Sequence, residues 1–254
     1  MLNIIQLPAL ENNYIYIIHE PDSGETAVID PTLAAPVLEV LKPNQWSLKY
    51  ILNTHHHWDH IGANVELKQA TGCQCAASVV DKTRIPAVDL TLKERDCIML
   101  GALTIEVIDT PGHTLGHIAY YIPEANALFC GDTLFAMGCG RLFEGSAEQL
   151  WQSLQKLKAL PKKTQVYCAH EYTRNNGRFA LTVEPGNSQL QQRMAKVVQQ
   201  RQHNLATIPT SIGDELATNP FLREDSPAIQ QHLNMQKQPA LAIFTELRRL
   251  KDSF

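Results

Sequence analysis

The sequence has no excess of positive charge. Twenty-two Lys and Arg stand against 26 Asp and Glu, a formal net charge of −4. Proteins that bind nucleic acid broadly need a basic surface to neutralise phosphates, so no nucleic-acid partner is expected. Long apolar runs are also missing, and the opening MLNIIQLPALENNYIYIIHE has no basic leader, so neither a membrane span nor a secretory signal is expected. The six cysteines (Cys73, Cys75, Cys97, Cys130, Cys139, Cys168) never take C-x-x-C spacing. They read as reduced core or loop thiols of a cytoplasmic protein. Low-complexity segments are absent. With 44% hydrophobic and 19% charged residues, the composition excludes a disordered chain.

What is present is an alternation of short apolar strands with helices. Strand patterns cover Leu2–Leu7, Tyr14–His19, Thr26–Asp30, Tyr50–Asn53, Leu103–Asp109, Ile118–Ile122, Ala127–Cys130 and Gln165–Ala169, rich in Ile, Val and Tyr. Helical patterns cover Ala34–Leu41, Ala63–Ala70 and Ala147–Leu160, the last with Ser146 and Gln149 in capping-box spacing. Beyond residue 172 no strand pattern continues. Helical segments are expected over Arg174–Val183, Ser188–Leu205, Pro227–Met235 and Ala240–Leu250, broken at Glu184–Asn187 and Thr218–Pro220. The reading is an α/β domain over 1–172 and a helical domain over 173–254.

Four of the ten histidines fall in one short stretch, Thr54-His55-His56-His57-Trp58-Asp59-His60, just past the carboxyl end of a predicted strand, where α/β folds commonly place active sites. In extended backbone, alternate residues share a side. His55 and His57 therefore point one way and His56 and Trp58 another, while Asp59 and His60 begin the turn into the next helix. Three further strand ends carry a single ligand-type side chain: His113 in DTPGHTLGH, Asp132 in LFCGDTLF and His170 in VYCAHEY. Together these make five imidazoles and two carboxylates, too many for one ion and about right for two. Asp132 is the candidate bridging ligand. Imidazole and carboxylate without thiolate suit zinc first, with iron or manganese as alternatives. A solvated histidine loop is the bland alternative, and the three matching strand ends weigh against it. His19, His203 and His232 lack such company and read as structural or surface residues. His117 reads as a partner to a ligand or to backbone, and Asp30 as either a structural residue or one that orients the histidine loop.

These residues resemble a known family. THHHWDH fits the T-H-x-H-x-D-H motif of the metallo-β-lactamase superfamily, and His113, Asp132 and His170 follow in that superfamily's order. A closer resemblance, over essentially the whole chain, is to the glyoxalase II (hydroxyacylglutathione hydrolase) family. It rests on GDTLFAMGCGRLFEG (Gly131–Gly145), CAHEYT (Cys168–Thr173), NPFLR (Asn219–Arg223) and RRLKDSF (Arg248–Phe254). The resemblance implies an α/β fold, a four-layer αββα sandwich with a C-terminal all-α domain. It implies that His55, His57 and His113 hold one ion and Asp59, His60 and His170 the other, with Asp132 and a water-derived hydroxide bridging them and no protein nucleophile. It also implies hydrolysis of the thioester of S-D-lactoylglutathione to D-lactate and glutathione, the second step of methylglyoxal detoxification. Arg141, Tyr172, Arg248 and Lys251 are the implied glutathione contacts.

The proposed chemistry suits such a site. A metal lowers the pKa of bound water to about 7, and two ions about 3.5–4 Å apart hold nucleophile and oxyanion together. Arg248 and Lys251, three apart on a predicted helix, share one face; the alternative is a solvated basic helix end that complements the macrodipole. Two departures from the family stand out. Phe143 replaces a tyrosine common in eukaryotic relatives, removing a possible hydrogen bond to glutathione, and Ala63 replaces a frequent glycine. Rival readings are another hydrolase of this fold, a mononuclear-iron persulfide dioxygenase, an RNA-processing nuclease and a non-enzymatic metal store. A monomer with a small-molecule partner, away from membranes, is expected.

Overall fold

Every residue of the strand Asn13–Glu20 is buried, as a strand covered on both faces requires. A computed structural model describes residues 2–254. The chain divides into two compact units, one running to Asp109 and resuming over Leu115–Gly131, the other comprising Thr110–Thr114 and Asp132–Phe254.

The first unit opens with β1 (Asn3–Ala9), β2 (Asn13–Glu20), β3 (Glu25–Ile29), α1 (Ala34–Asn44), β4 (Ser47–Leu52), α2 (Trp58–Ile61), α3 (Asn64–Thr71), β5 (Gln74–Ser78) and β6 (Val88–Leu92). These strands form a sheet in the order β1-β2-β3-β4-β5-β6. The pairs at the start are antiparallel, and β3, β4, β5 and β6 run parallel. A second, antiparallel run follows through β7 (Cys97–Leu100), β8 (Leu103–Asp109), β9 (Ile118–Ile122) and β10 (Ala127–Gly131). One apolar cluster joins Val37 and Leu41 of α1 and Leu67 of α3 to Ile15, Ile17, Val28 and Ile51 of the first sheet. On the opposite side of β2, Tyr16 meets Phe129 of β10 at 5.5 Å. The Tyr120 hydroxyl donates to the Asn53 carbonyl at 2.8 Å. These contacts seat the end of β4, where the histidine run starts, between two sheets.

The second unit contains the short ladder β11 (Leu134–Phe135) with β12 (Gly138–Cys139), then α4 (Ala147–Lys158), β13 (Gln165–Cys168), α5 (Thr173–Val183), α6 (Ser188–Gln202), β14 (Thr210–Ser211), α7 (Ile212–Thr218), α8 (Pro227–His232) and α9 (Ala240–Asp252). The Ser146–Gln149 capping box forms as expected, with both reciprocal bonds present. Helices α5 and α6 approach closely at Gly177, where a Cβ would strike the Met194 thioether. The NPFLR stretch is a hub. Asn219 Nδ2 donates to the Phe135 carbonyl (3.1 Å), the Gly138 carbonyl (2.9 Å) and Glu215 (2.9 Å). Arg223 pairs with Glu184 at 2.7 Å, and Phe221 packs 5.9 Å from both Phe179 and Phe244.

Several elements differ from expectation. β5 has the sequence QCAAS, with no β-branched or aromatic residue. Its parallel neighbours, not its propensity, make it a strand. β7 is four residues with alternate burial, too short to stand out. A two-residue strand, β14, lies in the stretch where no strand is expected. It pairs antiparallel with β13 and leads directly into α7, which the periodicity also misses because it spans only seven residues. Asp59 and His60 lie within α2 rather than in the turn before a helix.

Candidate active site

In the first unit, β3 and β4 end side by side and both continue into polar chain. Asp30, with φ of 48°, follows β3 and is 3% exposed. Its Oδ1 accepts from the Thr54 amide (2.8 Å) and its Oδ2 from the Thr54 hydroxyl (2.6 Å). The same Oδ2 lies 2.9 Å from His60 Nδ1. One buried carboxylate thus ties the start of the histidine run to its end. It fixes the His60 proton on Nδ1, which leaves Nε2 as the basic nitrogen. Asp30 therefore orients the loop, one of the two roles left open for it. One of its oxygens and one ring nitrogen from each of His55 and His60 lie within 4.8 Å of one another. Both Asp30 oxygens already accept hydrogen bonds, so its fit is to ligands rather than to a metal.

The alternation expected for the run holds. His55 Nε2 and His57 Nδ1 lie 3.0 Å apart, a spacing that two ring nitrogens accept readily around a shared cation. His56 turns away, its Nδ1 3.4 Å from Asp81, and Trp58 is 72% exposed. Asp59 is held by Asn13 Nδ2 at 2.9 Å. His117 stacks on His55 with centroids 4.8 Å apart. Gly131 (φ 47°) passes so close that a Cβ would collide with Thr54 Oγ1, which requires glycine there. Among the residues missed by sequence reasoning are Asp81 and Arg84. Arg84 is bonded to the buried Asp81 through both Nε (3.1 Å) and Nη2, and its Nη1 is 3.3 Å from His56 Nε2. Asp81 and Arg84 stand three apart, the spacing of a local ion pair, and nothing in it points to His56.

In the second unit, Asp132 lies between two imidazoles. Its Oδ2 is 3.5 Å from His113 Nε2 and its Oδ1 is 3.2 Å from His170 Nε2. A carboxylate whose two oxygens face two separate ligand nitrogens has the disposition of a bridge between two cations. His113 Nδ1 is 2.8 Å from the Arg141 carbonyl, which accepts its proton and leaves Nε2 basic. Imidazole and carboxylate donors without thiolate fit divalent transition metals.

His113 and Asp132 also line a cavity of about 360 Å³, together with Arg141, Tyr172, Arg248 and Lys251. The structure therefore brings all four expected substrate residues together with two of the expected metal ligands. Tyr172 stacks flat on His170, 4.8 Å away. Arg248 is no solvated helix end. It is 4% exposed, donates to the Cys139 carbonyl at 3.0 Å and to Asp252 at 2.9 Å, and lies 5.2 Å from the Phe221 ring. Lys251 sits 5.0 Å from the Phe254 ring and 5.5 Å from the Phe179 ring. Burial first, and then repulsion from Arg248, Arg141 and Arg178, lowers its pKa to about 8. By contrast, Arg249 is exposed and pairs with Glu246. Phe143 is 62% exposed and meets His113 edge-on at 5.2 Å. All six cysteines are free. Burial pushes the cavity-lining Cys139 thiol up to about 11, so it offers no thiolate near neutral pH. Among the described residues no helix is long and apolar enough to cross a membrane.

Comparison with known proteins divides the chain between two families. Residues 9–170 match the metallo-beta-lactamase superfamily, and residues 171–254 match the hydroxyacylglutathione hydrolase C-terminus. A Methylococcus capsulatus protein named hydroxyacylglutathione hydrolase is 53% identical over 254 residues, covering 100% of this chain and 99% of its own. Among solved structures, ETHE1 from Myxococcus xanthus superposes with a TM-score of 0.69 at 25% identity, covering 97% of this chain and 96% of its own. TTHA1623 in a di-iron-bound form has a TM-score of 0.62 at 25% identity, covering 87% of this chain and 100% of its own.

Proposed function

Because the chain belongs to the hydroxyacylglutathione hydrolase family of the metallo-β-lactamase superfamily, we propose that it hydrolyses the thioester of S-(2-hydroxyacyl)glutathione. S-D-lactoylglutathione is the expected substrate, yielding glutathione and D-lactate. The observation that carries this reading is the cavity that holds Arg141, Tyr172, Arg248 and Lys251 beside His113 and Asp132. It combines cations for a glutathione carboxylate with metal-ligand chemistry for the acyl group.

His55, His57 and His113 would hold one divalent ion and Asp59, His60 and His170 a second, with Asp132 as the ligand shared between them. Zinc is the proposed metal, with iron or manganese as alternatives that the same donors accept. When bound, the ions supply Lewis acidity toward the thioester carbonyl and a nucleophile from water at neutral pH. The protein groups do the rest. Asp30 and the Arg141 carbonyl set the tautomers of His60 and His113. Tyr172, pressed on His170, supplies an apolar wall with a polar tip. Arg141, Arg248 and Lys251 orient the glutathione carboxylate, which fixes the thioester relative to Asp132. A thiolate leaves readily, so no strong general acid is needed. Cys139, held as a neutral thiol, is not a nucleophile. Residues 1–172 carry the chemistry and share the substrate contacts with 173–254, in a cytoplasmic monomer.

The experiment is a pair of measurements on purified protein: metal content per chain, and the rate of S-D-lactoylglutathione hydrolysis before and after chelation. Two metals per chain, with hydrolysis lost on chelation and restored by metal, are expected. Two metals without thioester hydrolysis would overturn the substrate and leave a lactam, lactone, phosphodiester or persulfide reading. Tight metal with no hydrolytic activity at all would leave a metal store.

A further inference from the structure

We propose that Arg174 and Arg178 of α5 form a second anion subsite, which takes the α-carboxylate at the γ-glutamyl end of the glutathione thioester. This inference rests on the thioesterase reading and assigns the end of the substrate that Arg248 and Lys251 leave free. Glutathione carries two carboxylates at opposite ends, and one cluster of cations cannot hold both.

The geometry supplies a second cluster beside the first. A cavity of about 440 Å³ is lined by Arg174, Arg178, Arg201, Glu171, Tyr172 and Asn175. Tyr172 and Asn175 also line the cavity of Arg248 and Lys251, so the two spaces share a wall. Of the charged groups facing the second cavity, three are guanidinium and one is carboxylate. That carboxylate is already engaged. Glu171 accepts from the Thr207 amide at 2.8 Å and the Thr207 hydroxyl at 2.6 Å, and lies 3.7 Å from Arg201. Arg174 and Arg178 remain exposed, and no acidic residue lies in the first turn of α5. They stand four apart on the helix, where like charges repel, and a bound carboxylate would relieve that repulsion with charge-assisted bonds.

The span also fits. The Phe254 ring lies 5.0 Å from Lys251 Nζ and 5.9 Å from the Arg178 guanidinium carbon. The two charges are therefore no farther apart than the sum of those distances. An extended tripeptide reaches about 10 Å end to end, long enough for one carboxylate to meet Lys251 while the other meets Arg178. The proximity has an electrical consequence too, since Arg178 is among the charges that hold the Lys251 pKa down.

The test compares two thioesters on the metal-loaded enzyme: S-D-lactoylglutathione, and the analogue in which 4-aminobutyryl replaces the γ-glutamyl group and so lacks only that carboxylate. With wild type, the analogue should show a KM about five- to tenfold higher, the size expected for two exposed charge pairs. The double substitution Arg174→Ala with Arg178→Ala should raise KM for S-D-lactoylglutathione by the same factor and leave the analogue's KM where wild type has it. Equal wild-type KM values for the two thioesters, or a variant KM raised equally on both, would overturn the subsite while leaving the thioesterase reading intact. Wild-type enzyme that hydrolyses neither would overturn both.

Discussion

The histidine loop of the first unit and the cation-lined cavity of the second are built in opposite ways. The loop collects its functional atoms from seven consecutive residues and locks them with one buried carboxylate: Asp30 accepts from Thr54 twice and from His60 once. The cavity collects Arg141, Tyr172, Arg248 and Lys251 from three separate stretches of chain. It steadies them with rings and backbone carbonyls. Metal ligands need fixed tautomers and closely set positions, which buried hydrogen bonds supply. A substrate site must exchange its ligand for water, and its cations accordingly range from 4% exposed at Arg248 to a 60% exposed side chain at Arg141. The difference teaches that damage to the loop should appear in metal affinity, and damage to the cavity in KM.

The largest effect is expected at Asp132, the residue proposed to serve both tasks. Asp132→Ala should remove at least one metal and lower activity by about a thousandfold, the scale of several kcal/mol of lost charge stabilisation. Metal analysis with steady-state kinetics checks it, and two retained metals at full rate would remove the bridge. Next comes Asp30→Asn, which keeps a residue tolerant of positive φ and deletes the charge. Metal affinity should fall about 10- to 100-fold, measured by competition with a chelator, while KM at saturating metal stays near wild type. A KM effect without a metal effect would erase the distinction between the two regions.

The same contrast explains what was legible in the sequence. The proposed metal ligands announce themselves because a ligand cluster must place special side chains at strand ends, and strand ends show in the apolar pattern. Other strands of the first sheet did not show in that way. β5 is QCAAS, held as a strand by neighbours that only the folded chain supplies. The cavity was legible only through family resemblance, since Arg248 and Lys251 alone suit a solvated helix end equally well. What decides against that is the tertiary setting of Arg248, bonded to the carbonyl of Cys139, which lies 109 residues away in the chain. Asp81 and Arg84, which hold His56, gave no pointer to it, because their i,i+3 spacing is that of any local ion pair and His56 lies 28 residues from Arg84 in the chain.

Within the cavity, Arg248→Ala with Lys251→Ala should raise KM about 10- to 100-fold with a smaller effect on kcat, the signature of lost substrate binding. Because Arg248 also satisfies the Cys139 carbonyl, the pair should unfold at lower denaturant than Lys251→Met alone. An unchanged KM would return the helix end to solvated surface. A smaller effect comes from pH. With a pKa near 8, the Lys251 ammonium is present below that value and lost above it. In wild type, kcat/KM should therefore fall a few-fold above pH 8, an inflection absent from Lys251→Met. Between about 8 and the ordinary lysine value of 10.5, the unfolded chain binds the proton more tightly than the folded one. The contribution of Lys251 to stability thus rises with pH in that window, and unfolding of this origin cannot mimic the loss of activity.

The smallest expected effect sharpens the comparison at its boundary. Phe143 touches both regions' concerns, since its amide donates to the carbonyl of the metal-ligand candidate His113 at 3.2 Å and its ring lines the substrate cavity. Phe143→Tyr adds only a hydroxyl to a side chain already 62% exposed. A hydrogen bond made at a wet rim exchanges one partner for another, with a net worth of about 0.5–1 kcal/mol. KM for S-D-lactoylglutathione should therefore drop two- to fivefold, with metal content and kcat unchanged. If metal affinity moves instead, the ring supports His113 more than it meets substrate, and Phe143 belongs with the ligand loop's kind of construction rather than the cavity's.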